Sequence, residues 1–252
     1  MKQIFNILKY DTISSTNDEA KKILQKFKVP NFTIISTKTQ PGGKGQRGNT
    51  WYGGNANNLL FSIILKPENL KASEQFYLSK IISLGITDCL NTEKIGFKIK
   101  WPNDIYFEDK KICGILIENT ISGNNIKNSI IGIGLNINET DFPKDLPFAV
   151  SLKNITGKNY DIEYELTKLL ESIQEKISFL KKSNYSQIDE LYHLNLYKIN
   201  EPAEFKDITS DTIFKGKIIG TLPEGKLIIK ILNGKTRHYG FKEIEFIRRR
   251  QA

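Results

Sequence analysis

Several short apolar segments, rich in β-branched residues, constrain the fold of this chain more than any other feature. Each is bounded by Gly, Pro, Asn or Asp, which is the pattern of strands in a sheet. They lie at residues 32–36, 59–65, 97–101, 105–107, 112–118 and 130–138. We therefore expect these segments to be strands of a β-sheet.

Three amphipathic segments are interspersed with these strands and predict helices. The first covers residues 17–27, where a capping box at 16–19 precedes apolar residues at helical spacing. The other two cover residues 74–90 and 164–180, and the last has a continuous apolar face. Because helices and strands are intermixed, the fold class is α+β or α/β.

The character of the chain changes towards its C-terminus. Residues 199–202 have the composition of a linker, and short strands are indicated at 214–219, 227–231 and 237–239. Turn sequences at 223–225 and 233–234 separate them. The sequence therefore predicts a main domain at residues 1–198 and a small all-β domain at 199–252.

Composition narrows the class of protein. Hydrophobic residues make up 39% and charged residues 26% of the 252 residues, and no apolar run approaches the ~20 residues of a membrane span. The N-terminus lacks signal-peptide features, and Cys89 and Cys113 form no C-x-x-C pair. We expect a cytoplasmic protein without a disulfide. The net charge of +9 fits either scattered solvated lysines or attraction to an acidic partner or nucleic acid.

A glycine-rich loop follows the strand at 32–36. Its glycines, Gly43, Gly45 and Gly48, have the G-x-G-x-x-G spacing of a dinucleotide-binding turn, which requires a helix to begin at the last glycine. The next ten residues are rich in Gly and Asn, which oppose a helix. The pattern instead indicates a mobile loop that can wrap an anion with backbone N–H groups and with Lys44 and Arg47.

Several common chemistries do not fit the residues. The sequence has two histidines: His193 lies on a predicted helix and His238 in the C-terminal β-domain, so a histidine triad is nearly excluded. No G-x-S-x-G sequence occurs either. A P-loop ending at Thr236 would need a glycine where Ile229 stands. Catalysis by a histidine triad, a histidine-rich metal site or a P-loop is therefore not expected.

The stretch K-W-P-N-D at residues 100–104, followed by K-x-x-G-I-L-x-E at 111–118, is the most specific motif. Taken alone, it could be a hairpin whose Asn and Asp close turns and whose lysines are solvated. Three companions occur with it: S-T-N at 15–17, the glycine-rich loop ending in Trp51, and the strand-like run at 131–138.

With these companions, the sequence resembles the biotin protein ligases, also called biotin–acetyl-CoA-carboxylase ligases, over nearly its whole length. The resemblance implies an α+β fold: a mixed β-sheet with packed helices, like the class II synthetases, plus a small SH3-like β-barrel at the C-terminus. The family's loop usually reads G-R-G-R-R-G. Here Lys44 and Gln46 replace two of the arginines, and Arg47 keeps the third.

The resemblance implies an ATP-dependent ligase that uses Mg²⁺, converts biotin to biotinyl-5'-AMP and transfers it to a lysine of a carboxylase's biotin carrier domain. A homodimer is compatible with it. The alternatives are a lipoate or octanoate ligase of the same superfamily and a biotin-sensing DNA-binding regulator. Because only fourteen residues precede Ser15, we expect no N-terminal DNA-binding domain and no specific DNA binding.

The resemblance also assigns site residues. For catalysis they are Lys111, Arg47 and Asp104. For biotin they are Ser15, Thr16, Asn17, Gln40, Gly43, Trp51, Lys111, Gly114 and Gly134. For the nucleotide they are Lys44, Gln46, Arg47, Gly48, Trp51, Asn103 and Asn136. No protein metal ligand is assigned.

Simpler roles remain open for some of these residues. Ser15 and Thr16 could cap the first helix, and Trp51 and Trp101 could be core aromatics.

Overall fold

The computed structural model describes residues 5–54, 56–93, 95–181, 184–232 and 234–247, and its main element is a seven-stranded mixed sheet. The strands are β1 Ile7–Thr12, β2 Thr33–Thr39, β3 Leu59–Leu65, β4 Lys98–Lys100, β5 Asp104–Phe107, β6 Lys110–Ser122 and β7 Asn125–Leu135. Their order is β1-β2-β3-β7-β6-β5-β4. Only β1 and β2 pair in parallel, and the other neighbours are antiparallel. The predicted mixed sheet is confirmed.

In the described residues, five α-helices accompany this sheet. They are α1 Thr16–Lys26, α2 Phe76–Leu90, α3 Leu152–Thr156, α4 Ile162–Lys181 and α5 Tyr185–Leu194. Helix α2 is buried along nearly its whole length and packs so tightly on α4 that a Cβ at Gly85 would lie 2.8 Å from the Cα of Ile173. The three helices predicted from sequence correspond to α1, α2 and α4.

The sheet is covered on both faces, which explains its continuous apolar strands. Ile34, Ile63 and Ile131 belong to the larger core cluster together with α2 and α4. Their neighbours along the strands, Ile35 and Ile64, point the other way and pack with residues of α1. Successive residues of a strand face opposite sides, so only a strand buried on both faces is apolar throughout.

A second, antiparallel sheet forms the C-terminal part. Its strands are β8 Pro202–Asp207, β9 Thr212–Thr221, β10 Leu227–Ile231, β11 Thr236–Tyr239 and β12 Ile244–Phe246, in the order β11-β10-β9-β8-β12. The expected small SH3-like β-domain is thus confirmed. Within the described strands, β11 and β12 are unpaired edges, so the sheet is not the closed barrel that was expected.

The expected linker at residues 199–202 is wrong. Lys198 and Asn200 adopt left-handed φ angles of 57° and 59°, and the N–H of Asn200 donates to the carbonyl of Ile218. Pro202 already begins β8. The chain therefore enters the second sheet through a tight, hydrogen-bonded turn. Asn233 of the predicted 233–234 turn lies outside the described residues, and so do the three consecutive arginines at 248–250.

Two other expectations can be compared with the structure. Cys89 and Cys113 are buried free thiols. In the part of the chain that is described, no helix is both long and apolar enough to cross a membrane.

Candidate active site

A cavity of about 1010 Å³ lies between the start of α1, the glycine-rich loop, the β5–β7 region and the end of the second sheet. Most of the predicted site residues line it: Ser15, Thr16, Asn17, Gln40, Lys44, Gln46, Gly48, Trp51, Asn103, Asp104, Lys111, Gly114 and Gly134. Asn136 lines a neighbouring cavity instead. The structure therefore brings together motifs that are far apart in the sequence.

The N-terminus of α1 is capped by Ser15. Its backbone is extended (φ −155°, ψ 133°), and its Oγ accepts a long 3.5 Å hydrogen bond from the N–H of Asp18. The capping box predicted to start at Thr16 is therefore wrong, because Thr16 is already helical and the N-cap is Ser15. Ser15 is the residue whose hydroxyl is used for capping.

Thr16 is tied to Gln40 at one end of the cavity. Its N–H donates to Gln40 Oε1 at 3.3 Å, and its hydroxyl lies 3.5 Å from the same oxygen. Ser62, in the middle of β3, approaches Thr16 Oγ1 at 2.7 Å. This end of the cavity thus presents a fixed set of small hydrogen-bonding groups.

Asn17 is engaged by the protein at both ends of its amide. Its Oδ1 accepts from Ser62 Oγ at 2.6 Å, and its Nδ2 donates to Glu118 Oε2 at 2.8 Å. Glu118 also forms a 2.6 Å ion pair with Lys21. Sequence reasoning assigned no role to Ser62 or Glu118, although a serine within the apolar run at 59–65 was a usable signal.

The indole of Trp51 lies on two glycines that are paired across β6 and β7, Gly114 and Gly134. A Cβ at Gly114 would lie 2.7 Å from the nearest atom of the ring, and one at Gly134 would lie 2.3 Å from it. Both glycines were expected to admit a ligand, whereas here they admit Trp51. The indole Nε1 is buried and has no hydrogen-bond partner among the described residues.

Gly43 was expected to contact biotin, but it is absent from the residues that line the described cavities. A Cβ at this position would lie 2.5 Å from the carbonyl oxygen of Trp51, and the N–H of Trp51 donates to the carbonyl of Gly43. Glycine at position 43 therefore allows the backbones at the two ends of the loop, Gly43 and Trp51, to lie in close contact.

Lys111 and Asp104 form an ion pair of 2.7 Å on the cavity wall. They lie on the adjacent strands β6 and β5, beside an irregularity in the pairing. Lys111 Nζ also lies 5.2 Å from the centre of a Trp51 ring. The pair is only partly exposed, at 32% for Lys111 and 17% for Asp104, so a charged ligand here would meet an oriented cation.

The K-W-P-N-D segment is held by neighbours on two sides. Asn103 Nδ2 donates to the carbonyl of Ile115 at 2.6 Å, which fixes the segment to β6. Trp101 is buried, donates its indole N–H to the carbonyl of Gly225 at 2.9 Å, and contacts Phe241 at 5.3 Å between ring centres. Core packing of Trp101 is therefore confirmed, and the partner is the second sheet.

The neighbouring cavity has a volume of about 330 Å³. Asn136 lies in its wall, is nearly buried, and donates its Nδ2 to the carbonyl of Val150 at 3.1 Å. Aromatic side chains form another part of the wall: Tyr52, Tyr106, Phe142 and Phe148. Trp51, Asp104 and Lys111 line both cavities and thus lie between them.

Lys44 of the glycine-rich loop is paired with Asp18 of α1 at 2.6 Å. The hydrogen bond to this carboxylate raises the pKa of Lys44 above its ordinary value, so the side chain remains a cation. The side chain of Arg47 lies outside the described part of the structure. Its backbone belongs to a 3₁₀ turn at Gln46–Gly48.

A family model described as the biotin/lipoate A/B protein ligase family matches residues 10–136, which is half of the chain. The chain belongs to this ligase family. The bifunctional ligase/repressor BirA of Bacillus subtilis is 27% identical over 240 residues, covering 93% of this chain and 72% of that protein. A biotin–(acetyl-CoA-carboxylase) ligase of Paracoccus denitrificans is 28% identical over 213 residues, covering 80% and 86%.

Solved structures of this ligase family share the whole architecture. The biotin protein ligase from Aquifex aeolicus, in complex with biotin and ATP, superposes with a TM-score of 0.78 at 25% identity, covering 97% of this chain and 99% of that one. The similarity therefore extends beyond the matched family segment and includes the C-terminal sheet.

One wall of this ligase's larger cavity was missed by sequence reasoning. It comes from the second sheet and the turn before β12: Phe241, Lys242, Ile244, Glu245 and Phe246. These residues belong to no recognised motif. Only the tertiary contact between the two sheets brings them to the site.

Proposed function

We propose that this protein is an ATP-dependent biotin–protein ligase, which activates biotin as biotinyl-5'-AMP and transfers it to a specific lysine of a carboxylase's biotin carrier domain. The observation that carries the proposal is the position of the Lys111–Asp104 pair between the two cavities. One cavity suits a small acid and its phosphate partners, and the other suits a nucleobase. A cation between them lies where the acid and the nucleotide would be joined.

The larger cavity suits the ring end of biotin. Thr16 and Gln40 offer hydrogen-bonding groups, and the indole of Trp51, which lies on glycines of β6 and β7, offers an apolar surface. Pockets for small molecules combine apolar walls with a few fixed polar groups. We accordingly assign biotin to this end, with Trp51 alongside it.

The chemistry needs charge stabilisation and no enzyme nucleophile. A carboxylate oxygen of biotin attacks the α-phosphorus of ATP, and pyrophosphate leaves with the electrons of the broken P–O bond. The acceptor amine then attacks the carbonyl carbon of the mixed anhydride, loses its proton and expels AMP. In both steps negative charge develops beside the position of Lys111, and a preorganised cation stabilises such charge. Asp104 orients Lys111 through the ion pair.

The nucleotide site is a proposal supported by the smaller cavity. Asn136 would read adenine, and the aromatic wall would cover the base. Gln46, Arg47, Gly48 and Asn103 remain predicted nucleotide contacts, whereas the ammonium of Lys44, also predicted to contact the nucleotide, is paired with Asp18.

Mg²⁺ fits this site only in company with phosphates. In the described part of the chain, no three His, Cys, Asp or Glu side chains form a metal cluster. The cavity wall has two carboxylates, Asp104 and Glu245. Mg²⁺ is commonly held by one or two carboxylates and by the substrate's phosphate oxygens, where it neutralises charge. We propose that these two residues are its protein-side neighbours.

Further parts of the proposal concern the whole protein. The change from one sheet to the other supports a catalytic domain at 1–198 and a C-terminal domain at 199–252. A cytoplasmic location, the absence of specific DNA binding and a homodimer remain predictions.

The test is ATP–pyrophosphate exchange with purified protein. Exchange should require biotin and be absent with lipoate or octanoate, and biotin should then appear on an added biotin carrier domain. Exchange with lipoate alone would establish the alternative ligase. Lys111→Ala, compared with Lys110→Ala on the exposed neighbouring residue, shows whether the ion-paired lysine carries the activity.

A further inference from the structure

The first half of the glycine-rich loop is fastened to residues just before and within α1. The N–H of Gly42 donates to the carbonyl of Ser14 at 2.9 Å, and a Cβ at Gly42 would collide with Ser14 Oγ. Two residues further on, Lys44 Nζ lies 2.6 Å and 2.8 Å from the two carboxylate oxygens of Asp18. The loop therefore has a backbone attachment and a side-chain attachment to the same short segment.

The second half of the loop is attached to the first by backbone hydrogen bonds. The N–H of Gly45 donates to the carbonyl of Asn49 at 2.7 Å, and Lys44 and Thr50 form an antiparallel bridge. These contacts make residues 44–50 a small hairpin, with Lys44 at its base. An interaction that fixes the position of Lys44 therefore also fixes the hairpin over the cavity.

The position of Asp18 connects this attachment to the ligand. Asp18 directly follows Ser15, Thr16 and Asn17, which line the larger cavity. The Lys44–Asp18 geometry also uses both carboxylate oxygens, so the ammonium is directed at α1. This differs from the expectation that Lys44 faces the phosphates.

We propose that Asp18 is a positioning residue, which holds the glycine-rich loop over the larger cavity through Lys44. Lys44 then serves the closure of the loop, and not the binding of phosphate. The proposal rests on the proposed function only where it names biotinyl-AMP as the molecule retained. Because both side chains are partly exposed, at 51% for Lys44 and 29% for Asp18, the effect is at most about fivefold.

The experiment is a double-mutant cycle with Asp18→Asn, Lys44→Gln and the double variant. Glu19→Gln is the matched control, since it removes a carboxylate from the same helical turn, where Glu19 pairs with Lys22. Lys44→Arg is the conservative variant. Hydrogen exchange of residues 42–51 is measured without ligand, and release of biotinyl-AMP is measured at low and high salt.

Both single variants should accelerate loop exchange and biotinyl-AMP release by about two- to fivefold, and the double variant should add nothing further. High salt should reduce the difference from wild type, and Glu19→Gln and Lys44→Arg should behave like wild type.

Unchanged loop exchange in Asp18→Asn would overturn the proposal. So would a Lys44→Gln variant that releases the adenylate much faster than Asp18→Asn, because Lys44 would then bind the ligand directly. If the wild type forms no biotinyl-AMP, the proposed function fails, whereas the exchange measurement still decides the attachment.

Discussion

The indole of Trp51 fills the space in which a side chain at residue 134 would have to lie. The residue at position 134 must therefore be glycine because of Trp51, whether or not a ligand is bound. Gly114 stands opposite it in the β6–β7 pairing and is in the same situation.

Gly134→Ala should displace Trp51 and weaken biotin binding at least tenfold, because neither the strand nor the indole can move without losing packing. Isothermal titration with biotin measures the effect. Gly123→Ala is the control for a general loss of stability: its φ of 59° in the β6–β7 turn strains an alanine, but no neighbour lies within 4 Å of the added Cβ, so biotin binding should be unchanged. A Gly134→Ala variant that binds biotin like wild type would show that Trp51 is free to leave.

Lys111→Ala should reduce the rate of biotinyl-AMP formation by about 10²–10³, the usual cost of removing one preorganised electrostatic group. Biotin affinity should change less, since the Thr16–Gln40 pair, to which the ring end of biotin is assigned by proposal, remains. Single-turnover adenylation measures the rate, and circular dichroism checks the fold. A wild-type rate would place Lys111 outside the chemistry.

Ser62→Ala should destabilise the protein by about 1–3 kcal/mol, since it leaves the buried Oδ1 of Asn17 without its donor. The loss also loosens Thr16, so biotin affinity should fall with stability. Urea unfolding gives the free energy. Ser122→Ala, at the exposed end of β6, should leave both quantities unchanged.

Stability should fall as the pH decreases below about 6.5, because of His193. Its Nε2 accepts the N–H of Thr221 at 3.0 Å, which requires the neutral ring. Burial, assisted by the Lys80 cation and opposed by Asp189, lowers the pKa of His193 in the folded state. The unfolded chain therefore binds more protons just below pH 6.5, and the free energy of unfolding decreases there until the folded pKa is passed.

Urea unfolding between pH 5 and 8 tests this pH dependence. His193→Asn should remove part of the slope between pH 6.5 and 5. His238→Asn, on the exposed side of β11, is the matched control and should keep the wild-type slope. An unaltered slope in His193→Asn would assign the dependence to other groups.

The sequence predicted elements best where burial determines the residue type. β3 was located at its true bounds because every residue of it is buried, which forces an apolar run. β8 and β12 were missed because they are short and partly exposed, so their residues show little alternation. The cap was displaced to Thr16 because Ser15 and Thr16 are chemically equivalent at this position until the backbone angles are known.

For the site, motif residues such as Lys111 and Asp104 were found because their roles depend on residue type. Phe241 and Glu245 could not be found, because their place in the wall depends on how two sheets dock. The same docking explains Trp101, whose indole N–H is satisfied by Gly225, a residue remote in the sequence.

The part of the cavity wall that the second sheet provides also has a consequence for biosynthesis. During translation, α1 on one side of the cavity is synthesised early, and β12 on the other side is synthesised late. Domains generally fold as they emerge from the ribosome. A nascent chain that has completed its first sheet still has an open cavity beside Trp101. An energy-rich anhydride formed there would be exposed to water, so the order of translation itself delays a protected reaction chamber until β12 has folded against the first sheet.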